Sequence, residues 1–86
     1  MQKTYDIYRH IHTNEIRLLS KREQRLNRNF EPISYKDLKI RQLSELLKET
    51  FPQRYKTYVD MCVEKYGIPA AKEKIYQSAV IGELQP

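Results

Sequence analysis

Residues 16–30 form the stretch IRLLSKREQRLNRNF, in which five cationic side chains alternate with regularly spaced apolar ones. Placed on a helix, four of these cations recur at steps of four, four and three residues and so share one face. They are Arg17, Lys21, Arg25 and Arg28. Roughly opposite them lie the apolar positions Ile16, Leu19, Leu26 and Phe30. The spacing predicts an amphipathic helix from about residue 14 to about residue 28, with a basic solvated face.

A β-hairpin competes with this helix for the first part of the stretch. Residues 3–11, KTYDIYRHI, are rich in Tyr and β-branched residues that alternate, which is typical of a short strand. This strand could turn through residues 12–14 and pair with residues 15–19, where Ile16 and Leu18 also alternate. We favour the helix, because Thr13 or Asn14 would cap it and the apolar spacing continues beyond a hairpin arm.

The remainder of the chain carries clearer helix signals. Ser34 and Asp37 resemble a helix start, and an apolar stripe follows up to about Thr50. The stripe consists of Leu38, Ile40, Leu43, Leu46 and Leu47. Pro52 lies in the first turn of a third predicted helix, which ends at Gly67. A fourth is predicted from about residue 69 to about residue 81.

Length and composition limit the architecture. A chain of 86 residues has room for one small domain with one core. Its single cysteine, Cys62, cannot form an internal disulfide, which favours a reducing compartment. There is no apolar run of membrane-spanning length and no signal-peptide pattern, so we expect a cytoplasmic protein. The expected fold class is mainly α, a compact bundle of about four short helices with room for a short N-terminal strand or hairpin.

Positive charge is concentrated at the N-terminal end of the chain. Residues 1–28 hold seven Lys or Arg against three acidic residues, whereas the two charge types nearly balance over residues 29–86. A basic patch on one element is typical of a surface that binds nucleic acid or an acidic partner. The candidate binding residues are Arg9, Arg17, Lys21, Arg22, Arg25 and Arg28.

The chain also contains two motifs that favour other functions. The helical pair around Gly67 resembles a helix-turn-helix only in part, because Glu73 stands where that motif needs a buried residue. His10-Ile11-His12 resembles the His-hydrophobic-His metal element of rolling-circle and relaxase nucleases, whose helix tyrosine attacks a phosphate. That resemblance covers three residues, and the family builds its site on a larger antiparallel sheet than we expect here. We therefore predict no enzyme and no metal or other cofactor.

The sequence thus predicts a non-enzymatic binding module whose basic helix face contacts a nucleic-acid backbone, DNA or RNA. The alternative is a protein-interaction module, such as a small accessory or inhibitor protein of the phage or mobile-element type. Its basic residues would then meet an acidic or nucleic-acid-binding surface of a larger protein. Binding to a membrane surface is disfavoured, because the apolar face lacks large aromatic content.

Overall fold

The computed structural model describes residues 5–84, which form a three-stranded antiparallel sheet and four helices. The strands are β1 (Asp6–His10), β2 (Ile16–Leu19) and β3 (Phe30–Pro32). The helices are α1 (Lys21–Leu26), α2 (Ile40–Thr50), α3 (Tyr55–Tyr66) and α4 (Ile68–Ile81). A 3₁₀ turn, Tyr35–Asp37, precedes α2. The mainly α class is confirmed, but the chain combines a sheet with its helices and is not a pure helical bundle.

The predicted helix over residues 14–28 is wrong, and the hairpin that competed with it is present. Asn14 adopts a left-handed backbone with φ 62°, which closes the turn between β1 and β2. Ser20 is extended, with φ −74° and ψ 167°, and so separates β2 from the short helix α1. Its side chain and Glu23 form a capping box, and this Ser-x-x-Glu pattern was the sequence signal that marked the true helix start.

The central strand of the sheet is β1. It pairs antiparallel with β2 on one side, placing Tyr8 opposite Arg17, and with β3 on the other, placing Arg9 opposite Glu31. Residues 3 and 4 of the predicted N-terminal strand lie outside the described residues.

The three later helices follow their predicted order with small shifts in their starts. Ser34 caps the 3₁₀ turn and not α2, which begins at Ile40. Gly67, with φ 81°, separates α3 from α4, and Gly82 ends α4 in left-handed geometry. The predicted leucines of α2 are confirmed as core, since Leu43, Leu46 and Leu47 are all buried.

The main core lies between one face of the sheet and helices α2, α3 and α4. Ile7 of the central strand is fully buried in it, and Ile16 and Leu18 of β2 pack against its margin. Inside this core, the hydroxyls of Tyr58 and Ser78 lie 2.8 Å apart, which joins α3 to α4 by a buried hydrogen bond. The opposite face of the sheet carries a second, small apolar cluster, and its members are Tyr8, Leu19 and Phe30.

Candidate functional site

Helix α1 is held at both ends by side-chain hydrogen bonds although none of its residues is buried. The backbone N–H of Ser20 donates to Glu23 Oε1 at 3.0 Å, and the N–H of Glu23 donates to Ser20 Oγ at 3.2 Å. At the other end, Asn27 Nδ2 donates to the Glu23 carbonyl at 2.8 Å. Both caps give a six-residue helix a defined shape without support from the core.

The hydrogen bond from the Ser20 N–H also changes the pKa of Glu23. The backbone N–H of Ser20, and after it the Ser20 hydroxyl, lower the pKa of the Glu23 carboxyl, because both stabilise its charged form. Glu23 therefore stays ionised as a helix cap.

The exposed cations on α1 and just after it form what we call the α1 basic cluster: Lys21, Arg22, Arg25 and Arg28. Lys21 and Arg25 are one helical turn apart and share a side of α1, while Arg28 follows the C-cap residue Asn27. Within residues 5–84, no ion pair joins any of the four to a carboxylate. The nearest acid along the helix, Glu23, is engaged by Ser20. The cluster thus presents cationic groups directly to solvent.

The other two predicted site residues are not part of this cluster. Arg9 on β1 pairs with Glu31 of β3, to which the register places it directly opposite. Arg17 on β2 donates from Nε to Glu15 Oε1 at 2.9 Å. The predicted stripe through Arg17, Lys21, Arg25 and Arg28 is therefore wrong as a continuous helix face. Arg17 lies on β2, and the extended residue Ser20 separates this strand from α1.

The apolar residues of this stretch also lie elsewhere than predicted. Leu19 and Phe30 do meet, but in the small cluster on the outer face of the sheet. Leu26, assigned to the same buried face, is 78% exposed. A leucine that protrudes beside Arg22 and Arg25 is a feature of the surface that only the structure shows.

The His-hydrophobic-His triplet spans the end of β1 and the turn that follows. The rings of His10 and His12 have centroids 5.8 Å apart. Nδ1 of His10 accepts the backbone N–H groups of His12 and Thr13, each at 3.2 Å, so this nitrogen has a structural role in the turn. Over the part of the chain that the structure describes, no group of three or more His, Cys, Asp or Glu side chains could hold a metal ion.

Helices α3 and α4, on either side of Gly67, pack on the core. Glu73 is exposed, and Lys72 donates from Nζ to the Lys36 carbonyl at 3.1 Å.

No protein-family model matches the chain, and searches of curated proteins and of solved structures find no significant match either. None of the helices in residues 5–84 combines the length and apolar character that crossing a membrane requires.

Proposed function

We propose that the protein is a non-enzymatic binding module that contacts a nucleic-acid backbone through the α1 basic cluster. The observation that carries the proposal is that four exposed cations, none paired with a carboxylate within residues 5–84, lie on and beside a helix that has no buried residue. Because α1 adds no side chain to the core, its caps and charges serve the surface it presents. Phosphates are the natural partners of such a surface, since Lys and Arg displace condensed counterions from nucleic acid.

This mode of contact reads charge and not sequence. Lys and Arg bound to phosphate oxygens position a protein without selecting bases. We therefore expect similar affinity for unrelated sequences of the same length. The single free cysteine, Cys62, is buried, which fits the reducing cytoplasm where we expect the protein to act.

The salt dependence of binding to a labelled generic duplex tests the proposal. If the cluster neutralises about four phosphates, the logarithm of the binding constant should fall with the logarithm of salt concentration at a slope of about −3 to −4. Replacing Lys21 with Gln should make this slope shallower by about one. Fluorescence anisotropy at several salt concentrations measures both values.

Charge reversal at matched sites separates the cluster from net charge. Arg25→Glu and Lys56→Glu change the charge of the protein equally, but Lys56 is an exposed residue of α3 outside the cluster. Arg25→Glu should weaken binding strongly and Lys56→Glu little. Equal losses, or no binding of the unaltered protein at low salt, would refute the proposed function.

The exposure of Leu26 favours a second candidate function, docking on a larger protein. Arginine is enriched at protein interfaces, and Leu26 presents an exposed apolar side chain on the same short helix as Arg22 and Arg25. If the partner is a nucleic-acid backbone, Leu26→Ser should bind the duplex with unchanged affinity. The second function would be favoured by a partner protein that stays bound to the unaltered chain after nuclease treatment but does not bind Leu26→Ser.

A further inference from the structure

The outer edge of β2 has unused backbone hydrogen-bonding groups. The N–H of His10 donates to the Glu15 carbonyl at 2.8 Å, so the backbone polar groups of Glu15 face β1. Along an antiparallel strand, the backbone N–H and C=O groups of successive residues face opposite sides. Those of Ile16 and Leu18 therefore face away from β1. No other segment within residues 5–84 pairs with these groups.

The opposite edge of the sheet is protected. The N–H of Ile33 donates to the Ile7 carbonyl and that of Ile11 to the Asn29 carbonyl, so Phe30 and Pro32 are the outward-facing residues of β3. Proline has no N–H, and the N–H of Phe30 already donates to the Asn27 carbonyl at 3.1 Å. Proline at an edge is a common means of preventing strand addition. The sheet is therefore closed to a new strand on the β3 side and open on the β2 side.

The side chains of β2 also have unfilled space beside them. Ile7, in the central strand, is fully buried, whereas its neighbours Ile16 and Leu18 on the open edge are only half-buried. On the helix-facing side, Leu18 helps line a cavity of about 260 Å³ between the sheet and the ends of α2 and α4. An added strand would cover both side chains and place one of its own beside this cavity.

The geometry points to β2 as a docking edge for an extended segment of a partner protein in which apolar residues alternate with acidic ones. The apolar residues would flank Ile16 and Leu18, and an acidic residue would lie beside Arg17 on the other face. Arg17 uses Nε for Glu15, which leaves its Nη groups free to donate to a second carboxylate. The α1 basic cluster begins two residues after β2 ends, so its field favours the same acidic segment.

A second copy of the chain is a poorer occupant of this edge. Each chain carries a net charge of +5, which opposes self-association. In the antiparallel register that pairs Ile16 of one copy with Leu18 of the other, the two Arg17 side chains stand directly opposite each other. Like charges at opposed positions destabilise a strand pair.

Amide hydrogen exchange with a defined probe tests the proposal. The probe is the blocked peptide acetyl-Val-Asp-Val-Asp-Val-Asp-Val-amide, and its matched control has Lys in place of each Asp. At saturating probe, exchange of the Ile16 and Leu18 amides should slow by about tenfold or more. The Arg17 and Leu19 amides, which already face β1, should change little, and the Lys peptide should protect none of the four.

Two altered proteins locate the contact. Chemical synthesis of the full chain with N-methyl-Leu18 removes one outward donor and keeps the side chain, so it should abolish protection at Ile16. An unchanged NMR spectrum away from β2 shows that this protein is folded. Arg17→Gln should weaken binding of the Asp peptide, because it removes the cation that faces an Asp of the probe.

Several results would overturn the inference. They are equal protection by the Lys peptide, unchanged binding to the N-methyl protein, and peptide shifts confined to the α1 basic cluster. Protection of Ile16 and Leu18 that rises with protein concentration alone would show that a second copy, and not an acidic partner, occupies the edge.

Discussion

At the scale of single residues, two leucines show how far environment outweighs side-chain type. Leu47 is fully buried among the helices, and Leu26 is 78% exposed on α1. Sequence periodicity places both on apolar faces. Periodicity identifies a face only when the helix exists. The extended conformation of Ser20 limits the helix to Lys21–Leu26, so the long apolar face predicted for Leu26 does not form.

The same substitution at both sites should therefore have very different effects. Leu47→Ala should lower the free energy of unfolding by about 2–5 kcal/mol, because it removes buried methyl groups and leaves a cavity. Leu26→Ala should cost under about 0.5 kcal/mol, since Leu and Ala have similar helix propensities and little is buried. Urea titrations followed by circular dichroism measure both. A large loss from Leu26→Ala would mean that α1 packs into the fold in solution.

At the scale of elements, helices α2 to α4 could be predicted because each has an apolar stripe bounded by a cap, proline or glycine. The region before them could not, because two local signals overlap there. Alternation at Ile16 and Leu18 favours a strand, while the 3.6-residue spacing of the cations favours a helix. In the structure, Ile16–Leu19 form a strand and Lys21–Leu26 form a helix, and Ser20 lies between them.

The capping box makes α1 sensitive to acid. The lowered pKa of Glu23 means that the folded protein binds its proton less readily than the unfolded chain does. The contribution of the ionised cap is therefore full above the unfolded pKa and is lost as pH falls through the folded one. The helical Cα chemical shifts of α1 should decrease over this acidic range.

Glu23→Gln is the matched control for this prediction, because Gln can still accept the Ser20 N–H but does not titrate. Its α1 shifts should stay constant while those of the unaltered protein fall. A Glu23 carboxyl that titrates at or above the ordinary value in carbon NMR would contradict the assigned cap.

At the scale of the whole molecule, helices α2 to α4 supply most of the core. The sheet and helix α1, which precede them in the chain, carry both proposed surfaces. Four of the six predicted site residues remain together as the α1 basic cluster, since they are close in sequence. Arg9 is not part of this cluster, because it pairs with Glu31 on the neighbouring strand. The spacing of residues along the sequence does not predict this ion pair. Cross-strand register decides such pairs, and register depends on the turn geometry that the sequence left open.

A binding protein and a nuclease would differ in their response to divalent metal ions. Because His10 Nδ1 holds the turn through two backbone N–H groups, only its other ring nitrogen could serve a metal. We expect no cleavage of labelled single-stranded DNA with either magnesium or manganese. If the proposed function is right, His12→Ala should bind DNA as the unaltered protein does, because His12 is exposed and lies outside the proposed Lys and Arg contacts. A gel assay for nicking and for protein–DNA adducts decides between the two functions. Metal-dependent nicking with a covalent tyrosine adduct, lost in His12→Ala, would show that the triplet binds metal and that the protein is an enzyme.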